Sequence, residues 1–162
     1  MESEEWVLIP SLKVKTYDLN PEMSAYQITD ELIALCQKNA YDFVCVNYAN
    51  ADMIGHTGNL KATIKACEAI DECIARLVRF CEQNDFDMLI TADHGNAEEM
   101  MGDVTEQVKT SHTTNDVPLI YFGNQQIKLK NGELADIAPT ALDLMGLSKP
   151  TEMTGVTLAI KT

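Results

Sequence analysis

Three histidines occur in the chain, His56, His94 and His112, and each stands beside groups able to share a metal ion or a proton. His56 lies in "NADMIGHTGN", with Asp52 four residues before it. His94 follows Asp93 directly in "ITADHGNAEEM", and His112 lies in "KTSHTTNDVP". Imidazole and carboxylate together suit Zn²⁺, Mn²⁺ or Fe²⁺, which take about four to six ligands each. The D-x-x-x-H spacing of Asp52 and His56 puts both side chains on one side wherever the backbone makes a helical turn. His112 then offers a third ligand from another loop. Asp93 and His94 diverge in an extended backbone, but Gly95 permits a bend that turns both toward one cavity. Taken singly these signals have plainer readings. D-x-x-x-H is a common spacing, "DHG" alone reads as an Asp-stabilised turn, and a lone His112 reads as a structural hydrogen-bonder. The coincidence carries the argument: every histidine falls on one expected face, beside an acid or a polar loop.

The elements that must position these residues alternate. "SAYQITDELIALCQKNA" opens with Ser24 and Gln27 at the spacing of a capping box, and Ile28, Leu32, Leu35 and Cys36 follow at helical intervals. "YDFVCVNYA" is a short continuous apolar run, as expected of a strand covered on both faces. "NLKATIKACEAIDECIARLVRFCEQND" places Leu60, Ile64, Cys67, Ile70, Ile74, Leu77 and Cys81 along one side of a long amphipathic helix. "FDMLITA" and "VPLIYFG" are further strands, and "DIAPTALDLMG" is a helix with Asp136 as cap and Gly146 as terminator. No repeat, low-complexity tract or linker interrupts residues 1–162, which read as a single unit. Strands separated by helices predict an α/β fold with a mostly parallel sheet flanked by helices. Functional groups of such sheets gather beyond the carboxyl ends of the strands, which is where the histidines fall.

Composition narrows the function. At 162 residues the chain has the size of one ordinary domain, and no apolar run approaches the ~18 residues of a membrane span. The acidic opening "MESEEW" has no secretory or transit character, so a cytoplasmic setting is expected. Five cysteines, Cys36, Cys45, Cys67, Cys73 and Cys81, form no C-x-x-C pair and read as reduced, buried thiols. A net charge of −13 argues against nucleic acid and anionic membranes as partners. It also means that a phosphate can be held only through local positive charge, from a metal ion or from Arg and Lys.

Several long blocks occur in one order: "LIPSLKVKTYDLNPEMSAYQITD", "VNYANADMIGHTGN", "AIDECIARLV", "ITADHGNAEEM", "SHTTNDVPLI", "LADIAPTALDLMGL" and "PTEMTG". Together they resemble the C-terminal part of the cofactor-independent (2,3-bisphosphoglycerate-independent) phosphoglycerate mutases, of the alkaline phosphatase-like superfamily. The resemblance covers essentially the whole chain. It implies that Asp52, His56 and His112 hold one divalent metal ion and that Asp93 and His94 bind a second. Mn²⁺ is the usual metal of the family, and the ligand chemistry also admits Zn²⁺ or Co²⁺. The implied reaction is glycolytic: the phosphoryl group of 3-phosphoglycerate passes to a serine and returns to the other hydroxyl, giving 2-phosphoglycerate. The metals would lower the serine's pKa and neutralise the transferring phosphoryl group, answering the charge puzzle.

The nucleophilic serine, a further aspartate, a lysine and the arginine-rich substrate domain of the family precede the matched segment and have no counterpart here. Ser111 adjoins His112 but matches no nucleophile position, and its plainer reading is a loop hydroxyl bonded to backbone. Arg76 and Arg79 both sit in the long helix, where solvated or salt-bridged roles are expected. The expectation is therefore the metal-binding part of a mutase, inactive alone, which self-associates or pairs with the missing N-terminal part. A non-catalytic metal-binding or assembly module, and another phosphomutase or phosphohydrolase of the superfamily, are the alternatives.

Overall fold

Helices fall where the apolar spacing places them in the computed structural model, which describes residues 4–38, 40–101 and 108–161. Helix α1 is Ala25–Lys38, α2 is Asn50–Gly55, α3 is Leu60–Asn84 and α4 is Ile137–Leu144. The strands are short: β1 Met88–Thr91, β2 Leu119–Phe122, β3 Ile127–Leu129 and β4 Ala159–Lys161. The chain divides into two compact units interleaved in sequence, one of Met1–Phe80 with His94–Asn115, the other of Cys81–Asp93 with Asp116–Thr162.

The first unit is helical, and the inward side of α3 is built from small residues. Ala62, Ala66, Ala69, Cys73 and Leu77 are buried at helical spacing. Of the expected stripe, Leu77 and Cys81 are buried, whereas Leu60, Ile64 and Cys67 lie outward and are exposed. Met23, Ile54, Ala62 and Ala66 form a buried cluster, with Tyr17 packed against it. The expectation of buried thiols holds for Cys73 and Cys81, whereas Cys45 and Cys67 are exposed. Ser24 donates its hydroxyl to the Pro10 carbonyl at 3.1 Å and so ties the incoming chain to the start of α1. Arg76 is salt-bridged to Asp30 across the α1 and α3 surfaces, in line with its expected role.

"YDFVCVNYA" does not form a strand: residues 43–49 carry no regular structure, and Phe43, Val44 and Val46 are exposed. An apolar run becomes a strand only beside a neighbour that accepts its hydrogen bonds, and among the described residues it has none.

The α/β class holds, but both ladders found among the described residues lie in the second unit and are antiparallel, which corrects the expected mostly parallel arrangement. β1 pairs with β2, Met88 opposite Phe122 and Thr91 opposite Leu119. β3 pairs with β4, Ile127 opposite Lys161 and Leu129 opposite Ala159. In each pair the connection leaves and re-enters at the same end, whereas a parallel pair needs a crossover that carries the chain back to the opposite end. Helix α4 ends as expected at Gly146, whose φ of +71° is left-handed. Leu147 N–H donates to the Leu142 carbonyl at 2.8 Å and Gly146 N–H to that of Asp143 at 3.0 Å, the paired bonds of a Schellman motif. Asp136 stands at the N-cap of α4 as expected, but its carboxylate makes no capping bond there and instead closes the capping box of the preceding 3-10 turn Leu134–Asp136, whose N-cap is Glu133. Its carboxylate accepts the Glu133 N–H at 2.9 Å and the Val156 N–H at 2.8 Å.

Candidate metal centre

All the groups of the centre described below belong to the first unit. Asp52 and His56 are carried by α2 and its C-terminal cap. The six-residue helix supplies the turn that the D-x-x-x-H spacing requires, and it brings Asp52 Oδ1 to 3.2 Å from His56 Nε2. His112 arrives from the loop after residue 108. That loop is registered against residues 95–101 by isolated antiparallel bridges, Gly95 with Thr113 and Met101 with Val108. Thr113 N–H donates to the Gly95 carbonyl at 2.9 Å, and Lys109 N–H to that of Met100 at 2.8 Å. His112 Nε2 then lies 3.2 Å from Asp52 Oδ1 and 3.1 Å from His56 Nε2.

Three donor atoms thus form a nearly equilateral triangle, and their chemistry fits a divalent ion. Metal–ligand bonds of about 2.1 Å, at tetrahedral to octahedral angles, separate neighbouring ligand atoms by roughly 3.0–3.4 Å. Tautomer also matters. His56 Nδ1 lies 2.5 Å from the Thr110 carbonyl oxygen, which can only accept, so Nδ1 carries a proton and Nε2 is the nitrogen left to serve as a metal ligand. The three side chains are between a third and a half exposed, so the centre is open to solvent and solutes. A shallow recess of about 300 Å³, lined by Glu99, Lys109, Ser111, His112 and neighbours, opens beside it.

His94 completes the histidine set. Its ring stacks on that of His112, centroids 3.6 Å apart and planes 19° from parallel, and its Nδ1 lies 3.3 Å from the Gly95 carbonyl. Asp93 is exposed at the exit of β1 and belongs to the second unit. Of the five residues singled out in the sequence, the structure brings Asp52, His56 and His112 into one donor cluster, with His94 against it.

Three further residues shape the centre and were not legible in sequence. Asn96 donates from Nδ2 to Asp52 Oδ1 at 2.8 Å. Thr110 orients His56 through its backbone carbonyl. Glu98 accepts the Asn96 N–H at 2.6 Å, the Thr113 hydroxyl and the Asn115 amide. Those bonds, the Thr113 hydroxyl foremost, hold the Glu98 carboxyl below the usual glutamate range. Lys109 likewise lowers Glu99 and is ion-paired to it. The only sequence signal for Asn96 and Glu98 is their place just after "DHG". Apart from their bond to each other, their partners are distant, Thr113 lying 15 residues from Glu98 and Asp52 44 from Asn96, beyond any local pattern.

Residues 1–149 match the family described as the Metalloenzyme superfamily. The chain is 55% identical over 159 residues to 2,3-bisphosphoglycerate-independent phosphoglycerate mutase 2 of Methanosarcina barkeri, a match that covers 98% of this chain and 30% of that protein. It is 52% identical over 159 residues to the 2,3-bisphosphoglycerate-independent phosphoglycerate mutase of Francisella tularensis, covering 97% of this chain and 31% of the relative. Among solved structures it is similar to Leishmania mexicana phosphoglycerate mutase, determined at low cobalt concentration. That likeness has a TM-score of 0.85 at 31% identity and covers 95% of this chain and 31% of the other. The chain therefore spans about a third of the length of the relatives it matches.

Proposed function

Since the chain belongs to the Metalloenzyme superfamily, we propose that it is the metal-holding part of a phosphoglycerate mutase that interconverts 3-phosphoglycerate and 2-phosphoglycerate in glycolysis. The observation that carries this reading is the convergence of Asp52 Oδ1, His56 Nε2 and His112 Nε2 within 3.1–3.2 Å of one another. It is supported by relatives that carry the mutase name at 52–55% identity. In this reading Asp52, His56 and His112 hold one divalent ion, and Asp93 with His94 contribute to a second. Mn²⁺ is the proposed metal, with Zn²⁺ and Co²⁺ as alternatives. When bound, such ions supply the positive field that a phosphoryl group needs on a protein of net charge −13. The chain's own residues do the positioning. Thr110 fixes the tautomer of His56, and the stack of His94 on His112 restrains both rings. The attacking serine is proposed to come from outside these 162 residues, so that the chain alone does not turn over. Five cysteines outside any disulfide, two of them exposed, suit the reducing cytoplasm.

The test is a replacement. This chain is substituted for the matching segment of the Methanosarcina barkeri relative, and the product is assayed with Mn²⁺ on 3-phosphoglycerate. Turnover is expected in the chimaera, together with a loss of at least about 10³-fold in its His56→Ala and His112→Ala forms. A folded chimaera that is inactive, or one indifferent to both substitutions, refutes the reading.

A further inference from the structure

Asn96 is buried, with only 5% of its surface exposed, and its two amide atoms are treated very differently. Nδ2 donates to Asp52 Oδ1 at 2.8 Å. Oδ1 is enclosed and has no hydrogen-bond partner among the described residues. Leaving an amide oxygen buried and unpaired costs about 1–3 kcal/mol. Reversing the amide would set its oxygen against the Asp52 carboxylate, so Asp52 determines which way the group points.

The surroundings are fitted to this orientation. A side-chain carbon at Gly55 would run into Asn96 Oδ1, so the last residue of α2 has to be glycine for the amide to lie where it does. The backbone of Asn96 is fastened as well, its N–H donating to Glu98 Oε2 at 2.6 Å. The side chain is thus held at its backbone, at its oxygen face and at its nitrogen, and its one productive contact is with a candidate metal ligand.

We propose that Asn96 is a positioning residue for the metal centre: it holds Asp52 in the rotamer that turns Oδ1 toward His56 and His112, and Gly55 is the clearance that admits it. The inference deepens the proposed function, on whose Asp52–His56–His112 site it rests. A carboxylate in the first turn of a six-residue helix has freedom about two side-chain bonds. A donor fixed from another loop removes that freedom before the ion arrives, and the loss of such outer partners typically weakens metal binding by 10–100-fold.

The experiment titrates Mn²⁺ into the full chain and follows the free ion by electron paramagnetic resonance. Mn²⁺ is chosen because the exposed thiols of Cys45 and Cys67 compete for Zn²⁺ but poorly for a hard ion. Asn96→Leu keeps the branched shape and removes both the donor and the orphaned oxygen. Its expected signature is a Mn²⁺ dissociation constant raised about 10–100-fold, with a thermal midpoint of the metal-free chain equal to or above that of the wild type. Gly55→Ala is expected to weaken Mn²⁺ binding by a similar factor in the Asn96 chain, because the added carbon displaces the amide. In the metal-free protein, the side-chain amide resonances of Asn96 are expected to shift on Asp52→Ala. Equal Mn²⁺ affinity in wild type and Asn96→Leu overturns the inference, as does an amide signal indifferent to Asp52→Ala. Failure of the wild type to bind Mn²⁺, or binding unaffected by His56→Ala, instead brings down the metal site itself.

Discussion

Asp52 and Asp136 show how differently one residue type is employed. Asp136 receives two backbone N–H groups, from Glu133 and Val156, and these, Glu133 first, hold its carboxyl below the usual aspartate range. It is a fastening between the start of α4 and the strand-bound tail. Asp52 receives a single side-chain amide and is otherwise faced by imidazoles. A buried carboxylate bound to backbone donors serves as a fastening, whereas one facing imidazoles can share an ion with them. The consequence for Asp136 is a pH dependence. Because its folded pKa lies below the unfolded value of about 3.9, the stabilisation it gives is complete above that value and is lost as pH falls through the folded pKa. Asp136→Asn is expected to lower the thermal midpoint at neutral pH and to flatten the fall in stability below about pH 4. Parallel thermal melts of the two proteins from pH 7 to pH 3 check this, and curves separated by a constant offset at every pH contradict it.

Helix ends were legible because their signals are local. Asp52 and His56 are four apart, so a single turn decides whether they meet. Gly146 announced the end of α4 by its lack of a side chain, and the Schellman bonds of Leu147 and Gly146 follow from it. Helix α3 ends in the same way, with Phe86 N–H donating to the Cys81 carbonyl at 3.2 Å, yet Asp85 occupies the left-handed position there at φ +58°. No glycine marks that end. Gly146→Ala isolates the conformational cost, since an added carbon would meet nothing within 4 Å. A loss of about 1–2 kcal/mol is expected from the left-handed backbone alone, measured by denaturant unfolding. No change in midpoint would mean that α4 can end without that conformation. What could not be read was whatever depends on distant partners. The inward side of α3 is set by what the rest of the chain lays against it, and it takes Ala62 and Ala66 rather than Leu60 and Ile64. The run at Phe43 carries the composition of a strand, but a ladder needs a neighbour, and the sequence of one strand does not name its partner. Asn96 was missed for the same reason: its meaning lies in Asp52, 44 residues away.

At the scale of the whole molecule two tendencies oppose each other. The first unit leaves Trp6, Leu8, Phe43, Val44 and Val46 exposed, Trp6 and Leu8 by 85% and 88%, and burying such side chains against another surface is favourable. An apolar run without a ladder is also a template for pairing with another chain. Against this stands a net charge of −13, which makes any two copies repel. Repulsion between exposed charges fades within a Debye length of about 10 Å at 0.1 M salt and about 3 Å at 1 M, while apolar burial does not weaken. Association is therefore expected to strengthen with added salt, the reverse of an interface built on ion pairs. Sedimentation of the chain across a hundredfold range of concentration, at low salt and near 0.5 M salt, is expected to show a weight-average mass that rises with both variables. Val44→Lys with Val46→Lys interrupts the apolar run and is expected to return the mass to that of the monomer at either salt. Because neither residue touches the metal centre, Mn²⁺ binding should survive the double substitution. A wild-type chain that stays monomeric throughout, or one that dissociates as salt is added, would show that the apolar run does not govern how this molecule meets others.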